Sequence, residues 1–169
     1  AEGERLLALA RRQGDRVKEG AALAGMGFAS FWAHDFDRAL AHSARAIEVG
    51  RQVGAQALVG GGLLTTAFVH AVTARLDEAR SEFEQVVTIS GAAGDPVSQS
   101  IALGFGGLIK NWAGEYAEGV LRVTEAVELA RRHNLLVPSL WTLWISGVVR
   151  IGKGDYDDAL TILEEGLAL

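Results

Sequence analysis

The 169-residue sequence predicts an all-α fold, a solenoid of stacked antiparallel helix hairpins with about nine helices. Three observations predict it. Laid out in rows of forty, the chain repeats without an insertion or deletion: Phe36, Leu76, Tyr116 and Tyr156 share a column, as do Leu23, Leu63, Leu103 and Leu143. Apolar residues within each row recur at helical spacing, clearest in Tyr116, Val120, Val123, Val127 and Ala130. Helix-stopping residues fall in register at Gly14, Gly54, Gly94 and Asn134, the types that tolerate the left-handed backbone ending a helix.

The elements follow in order. A leading helix over residues 2–13 makes a half repeat, 1–14, and full repeats span 15–54, 55–94, 95–134 and 135–169 of a single repeat domain. The first helix of each repeat is expected at 17–33, 57–73, 97–113 and 137–153. These first helices carry little charge and must be covered on more than one side. The second helix of each repeat has a solvated face, with the favourable i,i+4 pairs Glu118/Arg122 and Glu128/Arg132. Arg11, Arg12, Arg51, Arg131 and Arg132 oppose the negative ends of helix dipoles, and Pro96 and Pro138 stand near helix starts. The small column Gly27, Ala67, Gly107 and Gly147 lets a neighbouring helix approach closely.

Composition sets the outer bounds. A hydrophobic content of 49% suits a folded core, and a net charge of −5 with interspersed signs disfavours nucleic acid and anionic membrane surfaces. There is no cysteine, and the first residues lack a signal-peptide pattern, so a cytoplasmic location is expected. Gln52 to Ala74 runs 23 residues without an acid, lysine or arginine, yet its glycines and glutamines argue for a buried helix over a membrane span. The missing initiator methionine and an ending inside a helical pattern lead us to expect a piece of a longer polypeptide.

The segments "GDYDDAL" at 154–160, "GEYAEGV" at 114–120 and "HDFDRAL" at 34–40, with "ARLDEAR" at 74–80 as a looser copy, resemble the junction between the two helices of tetratricopeptide repeats. The small residue at 27, 67, 107 and 147 is similar to that family's first-helix glycine. Leu23, Leu63, Leu103 and Leu143 stand where the family favours tryptophan, and the period is six residues longer than the common one. The resemblance covers the whole chain and implies a right-handed superhelix with the first helices lining its concave side. Repeats of this length resemble those of large bacterial regulators that carry ATPase, cyclase or DNA-binding modules.

Residues with catalytic or metal-binding chemistry read as structural. Asp155, Asp157 and Asp158 fall at a helix start, where Asp155 is an N-cap and the other two favour the first turn, and Tyr156 and Ala159 are expected to pack. His34, His42, His70 and His133 lack metal spacing, no Gly-x-Ser-x-Gly elbow exists, and "GFGGLIK" lacks phosphate-loop spacing. Lys110 and Arg150 are expected to compensate helix dipoles. No catalytic residue, cofactor or metal is expected.

The remaining candidate is the wall of first helices. Carrying over the concave positions that the resemblance implies gives Phe28, Phe31 and Trp32, then Phe68 and Val72, then Leu108, Asn111 and Trp112, then Trp141, Trp144, Val148 and Ile151. Aromatic side chains there would anchor a protein or peptide partner, with Asn111 orienting it. The competing reading packs the same aromatics between helices; burial statistics favour it for Phe28 and Phe68 and leave Trp112 and Trp144 open. A small-molecule effector site and self-association into a homo-oligomer are the alternative functions.

Overall fold

A computed structural model describes residues 2–169, and among these it contains nine helices and no strand. They are α1 (Glu2–Gln13), α2 (Arg16–Trp32), α3 (Phe36–Val53), α4 (Gln56–Val72), α5 (Leu76–Ala93), α6 (Pro96–Trp112), α7 (Tyr116–Arg132), α8 (Leu136–Lys153) and α9 (Tyr156–Leu167). The even-numbered helices begin one residue earlier than expected. The chain divides into two compact units, one reaching to Ala93 and one over Gly94–Leu169. Within each, consecutive helices pack on one another, an all-α helical-repeat arrangement.

The predicted columns are the core. Leu23, Leu63, Leu103 and Leu143 are all buried, as are Ala39, Ala79 and Ala159 at the helix junctions. In the first unit, a methyl on Gly27 of α2 would lie 2.6 Å from Ser43 Oγ on α3. In the second, one on Gly107 of α6 would lie 2.9 Å from the Gly119 carbonyl oxygen on α7, and one on Gly147 of α8 would lie 2.5 Å from Leu163 Cγ on α9. The repeated small residue therefore permits close contact between the two helices of a hairpin. The uncharged α4 is buried along most of its length, and its Thr66 hydroxyl donates to the Leu63 carbonyl at 2.9 Å, which satisfies a polar group that would otherwise be costly there.

The starts of α2, α3 and α6 are capped by aspartates. Asp15 Oδ1 accepts from the Lys18 amide at 3.0 Å, Asp35 Oδ1 from the Arg38 amide at 3.2 Å, and Asp95 Oδ1 from the Val97 and Ser98 amides at 3.1 and 3.2 Å. Asp155 occupies the same place before α9, but its carboxylate accepts from Lys153 Nζ at 2.6 Å and makes no cap bond. A flexible ammonium two residues away outcompetes the backbone donor. Tyr156 departs from expectation as well, since it is exposed while Ala159 alone packs. One further tie anchors α1. Arg11 Nε donates to Glu19 Oε1 at 3.0 Å, and that bond leads the causes holding the Glu19 carboxyl below the usual carboxylate range.

Left-handed residues punctuate the chain every twenty positions: Gly14, His34, Gly54, Ala74, Gly94, Gly114, Asn134 and Gly154. The sequence pattern singled out the stops after second helices; each hairpin junction uses the same device. Ala74, at φ 60°, has no side-chain amide to offset the strain of its Cβ. Ala74→Gly relieves that strain at the expense of a more flexible unfolded chain, for an expected net gain of about 0.5 to 1 kcal/mol. A urea midpoint that is unchanged or lower in the variant would contradict this account.

Candidate functional site

Burial sorts the predicted wall residues into two groups. Phe68 and Leu108 are core side chains: Phe68 lies edge-on to Phe83 at 5.7 Å between ring centroids, and Leu108 packs with Val123, Ile145 and Val149. Asn111 is also buried, set against Gly152 of α8, with its Oδ1 lacking a hydrogen-bond partner. It therefore points into the packing between α6 and α8 rather than toward an open wall. Phe31 and Trp141 are half-buried, Phe31 stacked on Phe68 at 5.5 Å and Trp141 edge-on to Phe105 at 5.8 Å.

The exposed group comprises Phe28, Trp32, Val72, Trp112, Trp144 and Ile151. Burial statistics placed Phe28 in the core, but its ring is exposed, edge-on to Trp32 at 6.0 Å. Phe28, Phe31, Trp32 and Phe68 thus form one chain of ring contacts in the first unit, running from the core to the surface.

The forty-residue rows separate two kinds of exposure. Trp32, Val72 and Trp112 occupy one column and are 54%, 56% and 52% exposed. An apolar residue is thus held open at the same place in three successive hairpins. Trp144 and Ile151 occupy other columns, whose preceding members Gly104 and Asn111 meet α8. Their exposure reflects the lack of a covering helix on that face of α8 among the described residues. Val137 and Leu140 extend the α8 face and were missed as candidates; Leu140 signalled itself by standing in line with Gly20, Gly60 and Ser100.

Charged groups near these faces are engaged by their own or an adjacent helix. Lys110 Nζ donates to Glu118 Oε2 at 2.7 Å and to Glu115 Oε2 at 3.0 Å, and these bonds raise its pKa above the ordinary lysine value. Arg150 donates to the Ser146 hydroxyl and to Thr124 Oγ1, the latter at 3.2 Å. Both therefore bridge to the neighbouring α7 and do more than compensate a dipole. His70 Nδ1 meets Glu82 Oε2 at 2.7 Å. Among the described residues, no group of three or more histidine, cysteine or acidic side chains is placed to hold a metal ion, and no helix is long and apolar enough to cross a membrane.

No protein-family model and no curated protein matches the chain. Solved structures do match. A kinesin light chain from Podosopora anserina, described as having nearly identical TPR-like repeats, aligns with a TM-score of 0.68 at 14% identity over 98% of this chain and 82% of its own. The fold is tetratricopeptide-like. The same tetratricopeptide-like arrangement aligns with BtubC (BKLC) from P. vanneervenii at a TM-score of 0.80 and 19% identity, over 99% of this chain and 70% of that one. Aspartyl phosphate phosphatase F from Bacillus subtilis aligns at 0.80 and 16% identity over 91% of this chain, which spans only 40% of the phosphatase.

Proposed function

We propose that this chain is a noncatalytic, cytoplasmic protein-interaction scaffold, each of whose two units offers exposed apolar side chains on its even-numbered helices to a peptide segment of a partner. The observation that carries the reading is the open column of Trp32, Val72 and Trp112. A large apolar side chain about half exposed at one repeat position keeps apolar surface in water that a partner would cover, and tryptophan is enriched among residues that dominate binding energy. In the first unit Phe28 and Trp32 are the anchors, backed by Phe31, whose ring stacks on the buried Phe68; in the second unit Trp112 is an anchor of its own. The tetratricopeptide-like fold suits this use, since rigid hairpins hold the anchors without needing a ligand to order them.

Peptides selected from a random display library on the whole chain test the proposal. Because Trp112 and Trp32 are exposed, Trp112→Ala and Trp32→Ala should leave the helical circular dichroism intact. Each should weaken the peptides that bind its own unit at least tenfold, about 1.4 kcal/mol. Equal affinity for variant and wild type would rule the column out as the binding site. Loss of folding would assign the tryptophans to the core.

A further inference from the structure

We propose that the partner segment bound by the first unit is proline-rich and basic, held in the polyproline II conformation with successive contact residues on Trp32 of α2 and Val72 of α4 and its cations facing Asp37 and Asp77. The proposal rests on the reading of the tryptophan column as a binding site and names the chemistry of what that site takes.

Spacing selects the conformation. Within the first unit α2 and α4 pack on one another, and Phe31 stacked on Phe68 fixes their register, with the exposed Trp32 and Val72 following on the two helices. Axes of packed helices lie about 8 to 10 Å apart. A polyproline II chain presents the same side every third residue, about 9.3 Å on, and so places one residue on each helix. A β-strand presents the same side every second residue, about 6.6 to 6.8 Å on, and falls short. A strand also draws its affinity from a free sheet edge, whereas the backbone groups along a helix flank are already paired within the helix. The polyproline II backbone needs no such edge, because it stays solvated.

The rings supply a seat for proline. Trp32 is 54% exposed, and its indole meets the exposed Phe28 ring at 85°. Two apolar rings set at a right angle make a corner for a pyrrolidine ring, whose fixed φ leaves little freedom to lose on binding.

Charge selects the residues between the prolines. From Gly20 to Ala33 and from Gln56 to Val72 there is no acid, lysine or arginine, and His70 in the second stretch is bonded to Glu82. The wall itself has nothing to pair with a charge. Across the hairpin junctions the first turns of α3 and α5 carry the exposed acids Asp37, Asp77 and Glu78. Asp37 follows Trp32 at the same interval as Asp77 follows Val72, so the acids form a column beside the apolar one. The cations nearby are engaged, Arg38 Nε by Asp35 Oδ2 at 3.8 Å and Arg75 Nε by the Thr73 hydroxyl at 3.2 Å. In the second unit Ala117 takes the corresponding place after Trp112, and the proposal therefore concerns the first unit alone.

The test uses a fluorescein-labelled peptide of repeating Pro-Ala-Lys triplets, titrated with the whole chain and followed by fluorescence anisotropy. Binding should saturate, weaken at least tenfold in Trp32→Ala and stay unchanged in Trp112→Ala. The double variant Asp37→Asn, Asp77→Asn alters only exposed side chains, so it should keep the wild-type circular dichroism, weaken the peptide at least threefold and flatten the dependence of binding on salt. Triplets with glutamate in place of lysine should not bind. Three results would overturn the proposal: no saturable binding, equal affinity for the double variant, or tighter binding of a helical alanine- and leucine-based peptide of the same charge. Failure here is distinguishable from failure of the column itself. Library peptides that lose affinity in Trp32→Ala yet are neither basic nor rich in proline would keep the column as a binding site and remove this account of its ligand; peptides indifferent to Trp32→Ala would remove both.

Discussion

Replacing Phe83 with alanine should destabilise the first unit by about 3 to 5 kcal/mol, a large share of what holds a domain of this size together. Phe83 is 1% exposed and among the largest fully buried side chains. Its ring lies at 66° to that of Phe68, an edge-to-face geometry that adds to the area it buries. Truncation removes the ring from beneath Phe68, which is itself stacked under Phe31. The cavity would open at the foot of the aromatic chain that ends in Trp32. The affected helices, α4 and α5, cannot close it easily, because Val69, Ala79 and Val86 are already fully packed. Urea denaturation followed by circular dichroism measures the loss, and amide exchange localises it to residues preceding Gly94. A loss below about 1 kcal/mol would show that the site collapses around the smaller side chain, which the packing here does not allow.

The repeat made the fold legible. Forty-residue columns located α1 and the first helix of each repeat to within a residue at either end, because the determinants are local: a glycine or asparagine at the preceding stop, and leucines at fixed spacing. The candidate wall was less legible. Helical periodicity tells which side of a helix a residue occupies, but burial depends on which neighbour lies against that side. Phe28 and Phe68 share a column, yet one is exposed and the other buried. Leu108 and Trp112 lie on one helix four residues apart, and only the second reaches solvent. Asn111 reads as a ligand-orienting amide because the resemblance places it on the concave wall; Gly152 of α8 leaves just enough space for it to be buried instead. Leu6 carried a signal in the sequence, since leucine stands there in place of the alanine or valine of the other rows, but its exposure depends on which helix lies against it.

Gly107→Leu should lower the stability of the second unit by about 3 kcal/mol, and more than Gly147→Leu does. Both glycines fill the same repeat position, so a reading from the column alone would assign them equal cost. Their neighbours differ. A Cβ at Gly147 meets Leu163 Cγ at 2.5 Å, but that leucine is only half-buried and its side chain can swing toward solvent. A Cβ at Gly107 meets the Gly119 carbonyl oxygen at 2.9 Å as well as Val123 Cγ1 at 2.7 Å, and a backbone oxygen inside α7 cannot move without the helix. Gly119 is itself small for this reason, since a Cβ there would lie 2.9 Å from the Gly107 carbonyl oxygen. Two glycine backbones face each other, and a leucine at either forces α6 and α7 apart along a seam that includes Leu108 and Val123. Leucine's better helix propensity, about 0.8 kcal/mol over glycine, offsets the same part of the cost at both sites and leaves the order unchanged. Thermal midpoints of the two variants measured side by side decide the matter: if Gly147→Leu proved the more damaging, the backbone-to-backbone contact at Gly107 would not be what limits helix approach.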